Sequence, residues 1–95
     1  MTVYVDDCFV HGDWGRWTGG GHLQADTPEE LHAFAAKLGL KRSWFQTRPK
    51  RPELDHYDLT RSKRDMALAL GAVDEHGLGA ARRNVARMRE RQASA

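Results

Sequence analysis

The sequence predicts an α+β domain: a short mixed sheet with two to three helices packed on one face of it. Three observations lead there. The chain has 95 residues, enough for one hydrophobic core and no second one. Short runs with the two-residue alternation of strands are interleaved with stretches of helical period. Thr27-Pro28-Glu29-Glu30 carries the signature of a helix start and is followed by an apolar stripe. A domain of this size buries roughly 60–65% of the surface its unfolded chain exposes, so it is marginal without help from a partner, a metal or another copy of itself.

Taken in order, Thr2 to Asp6 alternates, with Val3 and Val5 on one face and Thr2, Tyr4 and Asp6 on the other, and reads as the first strand. Residues 11–21 hold five of the nine glycines and read as a loop; Trp14 and Trp17 within it either pin it to the core or offer a stacking surface. His22 to Ala25 is a candidate second strand. Thr27 is then an N-cap, Pro28 takes the first helical position, and Glu30 stands three residues after the cap. Leu31, Phe34, Ala35 and Leu38 form the inward stripe and Gly39 stops the helix, which spans 28–38. Ser43 to Thr47 reads as a strand, with Trp44 and Phe45 on alternate faces. Pro49 and Pro52 bracket a basic loop. His56 to Leu59 is extended, Thr60 is an N-cap, and a helix over 61–70 turns Met66, Ala67 and Leu70 inward and stops at Gly71. Ala72-Val73 pairs as an edge strand. Leu78, Ala81, Val85 and Met88 place a last helix over about 78–91, with Gln92 to Ala95 fraying. Residues 1–75 read as the α/β core and 76–95 as a basic amphipathic helix and tail of the same domain. Strand order is not legible.

Composition narrows the class. Hydrophobic residues make up 40% and charged residues 29%, which is globular rather than disordered. No apolar run reaches the 18 or so residues of a membrane helix, and the opening MTVYVDD has no leader-like pattern, so no membrane partner is expected. The one cysteine, Cys8, points to a reducing compartment, hence the cytoplasm. The net charge of +2 hides an asymmetry: residues 1–40 balance to −4 and residues 41–95 to +6. A basic second half suits an anionic partner such as nucleic acid or a nucleotide, or is simply a solvated surface. Arg83, Arg87 and Arg91 recur every four residues and are a candidate nucleic-acid row.

Several short motifs recur in order over residues 2–75. They are Tyr4-Val5-Asp6-Asp7, His22-Leu23 with Ala25-Asp26-Thr27, Glu30-Leu31-His32-Ala33-Phe34-Ala35 and Leu38-Gly39. Trp44-Phe45-Gln46, His56-Tyr57-Asp58-Leu59-Thr60, Lys63-Arg64 and Gly71-Ala72-Val73 follow. Together they resemble the small bacterial and bacteriophage family filed as domain of unknown function four-zero-three-one. The resemblance implies a small cytoplasmic protein of a bacterium or of a phage-infected host, and no reaction.

The residues themselves suggest a site. Asp6 and Asp7 end a strand, His22 starts one, and His56 and Asp58 lie two apart on an extended segment and so point to one side. Asp6, Asp7, His22, His56 and Asp58 are the candidate catalytic set, as general acid/base groups or as metal chemistry. His56 and Asp58, completed by Asp6, are the candidate ligands for a divalent cation: magnesium, manganese or zinc. Arg61, Lys63 and Arg64 crowd a helix start, where cations oppose the dipole unless an anion binds; with Trp14, Gln46 and Tyr57 they form the candidate ligand-binding set. Each residue also has a structural use: Asp58 as a cap for the helix near Arg61, Asp7 in a turn, His56 as a hydrogen-bonded histidine. Two functions follow. One is an Asp/His site for a phosphate-bearing or nucleotide-like ligand, hydrolytic in its chemistry. The other is a non-enzymatic accessory protein that binds nucleic acid or a protein through its basic half, with self-association into a homodimer as a further use of the last helix.

Overall fold

In the computed structural model of the protein, which describes residues 2–94, four strands form one mixed sheet. These are β1 (Val3–Asp6), β2 (Gly21–Ala25), β3 (Tyr57–Leu59) and β4 (Val73–Glu75), in the order β3-β2-β1-β4. β1 pairs antiparallel with β2, β2 antiparallel with β3, and β1 parallel with β4. The helices are α1 (Pro28–Lys37), α2 (Arg61–Ala69) and α3 (Gly79–Ala93). The α+β class is therefore the observed one.

Alternation gives the sheet two unlike faces. Val5, Leu23, Tyr57 and Leu59 point to one side and are buried against Leu31, Ala35 and Leu38 of α1 and Ala67 of α2. Each buried leucine here contributes about 1.5–3 kcal/mol, so this layer holds the fold together. Tyr4, Asp6, His22, Gln24, His56 and Asp58 occupy the other, polar side. The start of β2 is closely flanked by β3 and β1: a Cβ on Gly20 would sit 1.8 Å from the Leu59 carbonyl oxygen, and one on Gly21 2.2 Å from that of Asp6.

α1 starts as its sequence dictates. Glu30 N–H donates to Thr27 Oγ1 at 3.2 Å, and the threonine hydroxyl returns a bond to Glu30 Oε1 at 3.1 Å. Phe34 is only half-buried at the edge of the stripe. Lys63 of α2 donates to the Leu38 carbonyl at 2.6 Å, placing a cation at the end of α1 where the dipole favours it.

Four expectations are corrected. Ser43 to Thr47 is not a strand: Arg42–Trp44 is a single 3-10 turn, and among the described residues one bridge, Gln46 with His56, is the only strand-like pairing the segment makes. Trp44 is half-exposed while Phe45 packs on His32 and Tyr57. α2 is rotated from the expected face: Met66 and Leu70 are exposed, and small Ala67 is the residue in the core. The rotation brings Lys63 and Arg64, four residues before Ala67 and Leu68, to the inner side, where their heads reach backbone carbonyls of Leu38 and Asp6.

The third helix is turned further still, and the helices do not share one face. α3 lies over the polar side of the sheet, with Leu78 and Val85 exposed and no residue buried. It docks through the arginine row. Arg83 makes two bonds of 2.9 Å to Glu75, one of 2.7 Å to Gln24, and lies 4.1 Å from the Tyr4 ring centre. Arg87 holds the Ala25 carbonyl at 2.9 Å and the Asp26 carboxylate. Arg91 reaches Glu53 at 3.1 and 3.3 Å. A polar sheet face recruits the polar side of a helix, so the apolar stripe does not reach the core, and of its members only Met88 is half-buried. The helix runs on to Ala93 rather than fraying from Gln92; Ala95 lies outside the described residues.

Candidate functional site

Strand register assembles the site. His22 on β2 stands opposite Asp58 on β3, and the two-residue period puts His56 beside Asp58 on the same face. Three donor atoms converge: His22 Nε2 and His56 Nε2 lie 3.5 and 3.4 Å from Asp58 Oδ1, and all three fall within 4.8 Å of one another. The two rings meet edge to face with centres 4.7 Å apart.

The remaining polar atoms of these side chains are already engaged. His56 Nδ1 is 2.8 Å from the Leu54 carbonyl oxygen. A carbonyl only accepts, so Nδ1 carries the proton and Nε2 of the neutral ring has its lone pair free. His22 Nδ1 is 2.9 Å from Asp6 Oδ2, and the carboxylate fixes that tautomer in the same way. Asp6 is itself held, its Oδ1 accepting the backbone N–H of His22 at 2.8 Å and of Cys8 at 3.0 Å. Gln46 Nε2 donates to Asp58 Oδ2 at 2.6 Å, leaving Oδ1 as the outward-turned oxygen.

Electrostatics follow from this arrangement. Burial pushes the Asp6 carboxyl up, but the His22 ring and the two backbone N–H groups outweigh it and hold the group below the usual carboxylate range. Burial likewise disfavours the His22 imidazolium, yet the hydrogen bond and charge of Asp6, with the charge of Asp58, push its pKa above the ordinary value. The same two carboxylates that favour a proton on His22 favour a metal cation.

His22 and His56 line a cleft of about 890 Å³. Phe45, Thr47, Arg48, Arg51 and Leu54 form one wall; Ala81, Asn84 and Val85 of α3 form the other. Of the sequence candidates, His22, His56 and Asp58 come together, with Asp6 behind His22 and Gln46 behind Asp58. Asp7 is set apart: it lines the cleft but accepts from Gly77 N–H at 3.3 Å and faces His11. Tyr57 points into the core, where its hydroxyl meets His32 Nδ1 at 2.8 Å. Trp14 packs on Phe9, which in turn packs on His22. Lys63 and Arg64 are spent on backbone carbonyls, Arg64 also on Asp74, and Arg61 lies exposed with its stem over Gly19. Helix α2 is capped by Thr60, which accepts from Lys63 N–H, and not by Asp58. Nothing in the sequence pointed to Leu54, whose part is played by its carbonyl, and Arg48 and Arg51 showed only as members of a basic cluster around Pro49 that suits an anionic partner.

Among the described residues no helix is long and apolar enough to cross a membrane. The chain belongs to the family described as protein of unknown function (DUF4031), which it matches over residues 3–91, a span that takes in most of α3. No curated protein and no solved structure matches it.

Proposed function

We propose that this member of the family binds one divalent cation between His22, His56 and Asp58 and uses it to hydrolyse a phosphate-bearing substrate. One observation carries the reading: three donor atoms turned to a common point, each on a side chain whose other polar atom is already fixed by a partner. Such outer partners are the usual accompaniment of metal ligands, because they set tautomer and orientation. Spacing supports it too. Ligand atoms about 2.0–2.1 Å from a tetrahedral cation stand about 3.3 Å apart, and the two imidazole-to-carboxylate distances are 3.4 and 3.5 Å. Two imidazoles and one carboxylate suit zinc or manganese better than magnesium, which prefers oxygen.

A cation with three protein ligands keeps a position for water and lowers that water's pKa. Held by His22, His56 and Asp58, the cation would supply an activated water for hydrolysis of a phosphate ester, in which the water oxygen would join phosphorus, the bond to the leaving oxygen would break and a water proton would pass to the released alcohol. Arg48 and Arg51 on the cleft wall supply the charge to hold the phosphate. The exposed thiol of Cys8 supports a reducing compartment, in keeping with the cytoplasm of a bacterium or of a phage-infected host as the proposed setting. An accessory role through the C-terminal arginine row has less support, because Arg83, Arg87 and Arg91 are held in ion pairs.

Titration calorimetry with zinc and manganese, followed by hydrolysis of a chromogenic phosphodiester, tests the reading. One equivalent bound by the wild type is expected, with His56→Ala and Asp58→Ala each weakening it about 100-fold or more. Absence of saturable binding at about millimolar metal, far weaker than protein sites of this type, would overturn it.

A further inference from the structure

The segment running into the site from the other side of the sheet edge has a character that the metal centre does not use. Between Lys41 and Pro52 there are five cations and no acid: Lys41, Arg42, Arg48, Lys50 and Arg51. Every one of them is exposed. Trp44 stands among them with half its surface in solvent, and Lys41 Nζ lies 5.6 Å from its ring centre. Among the described residues Arg48 has no carboxylate partner, and Arg51 has one, Glu53, at 2.8 Å. This contrasts with Arg83, Arg87 and Arg91 of α3, which are consumed in docking.

The segment is also physically joined to the site. Gln46 N–H donates to the His56 carbonyl at 2.9 Å and His56 N–H to that of Gln46 at 3.1 Å, so its backbone runs beside a proposed metal ligand. Arg48 and Arg51 line the cleft that the two histidines also line. A row of cations with one solvent-facing indole is the combination that holds a single nucleic-acid strand: the cations follow the phosphates and the ring stacks on an unpaired base. A duplex hides the faces of its bases, and a mononucleotide engages only one end of such a row.

We propose that residues 41–51 form a docking strip for single-stranded nucleic acid, which they lead toward His22, His56 and Asp58. The proposal rests on the metal-site reading for cleavage but not for binding. Trp44 takes a base; Arg48, Lys50 and Arg51 take successive phosphates; Lys41 stands beside the stacked base.

Fluorescence anisotropy on the full chain, with labelled 12-nucleotide single-stranded DNA, single-stranded RNA and duplex DNA in EDTA, tests the strip apart from the metal. The expected result is binding of single-stranded DNA or RNA at about 50 mM salt, with a log–log salt slope of about −2 to −3 for three to four phosphate contacts. The two single-stranded arms show which sugar is preferred. Trp44→Ala should weaken binding about tenfold, and Arg48→Ala with Lys50→Ala should flatten the slope by about 1.4. These side chains are exposed, and circular dichroism checks that the variants fold. No single-strand binding, equal binding by all variants, or a preference for duplex overturns the proposal, whatever the metal titrations show. Intact strand binding without metal binding would leave the strip standing and remove the hydrolytic reading.

Discussion

Replacing Asp6 by asparagine probes the site through a residue that touches no metal. The outcome follows from which atoms are already engaged. Asp6 Oδ1 accepts two backbone N–H groups, at 2.8 and 3.0 Å, so the asparagine carbonyl must stay there. Its NH2 group then lies where Oδ2 was, 2.9 Å from His22 Nδ1. Two donors cannot face each other, so His22 moves its proton to Nε2, where it can be given to Asp58 Oδ1 but blocks the lone pair that a cation needs. Losing an outer partner of this kind lowers metal affinity about 10–100-fold, or about 1.4–2.7 kcal/mol. Competition against a chromogenic zinc chelator at neutral pH measures the loss, and long-range nitrogen–proton NMR correlations read the tautomer of His22 directly. Asp6 acts by positioning, and the tautomer is the readout that a merely structural role would not move. A folded Asp6→Asn protein that binds zinc like the wild type, with the proton still on Nδ1, would refute the reasoning.

Other outcomes follow from the same structure. Glu53, held by Arg91 and then Arg51, has its pKa lowered to about 2 from an ordinary 4.5. A depressed carboxylate stabilises above the unfolded value and ceases to as pH falls through the folded one, so α3 should loosen between about pH 4.5 and 2; NMR shifts around Arg91 follow this, and a midpoint at the ordinary glutamate value would contradict it. Glu53→Gln should remove that acid step. Gly20→Ala places a Cβ 1.8 Å from the Leu59 carbonyl oxygen and should destabilise by at least about 1–3 kcal/mol; an unchanged melting temperature would deny the close approach. Thr27→Ala should cost about 1 kcal/mol by removing the acceptor for Glu30 N–H, read as a drop in thermal midpoint.

What the sequence disclosed depended on whether the deciding contact was local. Thr27 caps its own helix within three residues, and α1 was legible to within one residue of its end. His56 and Asp58 share a face by alternation alone, so two of the three donors were visible as a pair. Their partnership with His22 depends on the pairing of β2 with β3, a register that no local pattern encodes. α3 misled for a different reason. Leu78, Ala81, Val85 and Met88 look like a buried stripe only if the surface beneath is apolar. That surface is the polar side of the sheet, carrying Glu75, Gln24, Asp26 and Tyr4, and it selected the arginines. At 43–47, Trp44 and Phe45 have the β-propensity of a strand, but the segment meets the sheet edge at one bridge only, and propensity without a partner ladder gives a turn.

The two layers of the molecule adhere by different forces, and they answer to different solution variables. α1, α2 and the sheet are joined by buried apolar area, which ions in solution barely affect, whereas α3 adds nothing to that core and is held by guanidinium–carboxylate pairs at its margin. Charges near the surface weaken as the Debye length shrinks from about 10 Å at 0.1 M salt to about 3 Å at 1 M. Amide hydrogens of α3 therefore exchange through a local opening whose free energy depends on ionic strength, while those of β1 and β2 wait for global unfolding. Since α3 is one wall of the cleft, the protein can widen access to His22 and His56 without coming nearer to its melting point.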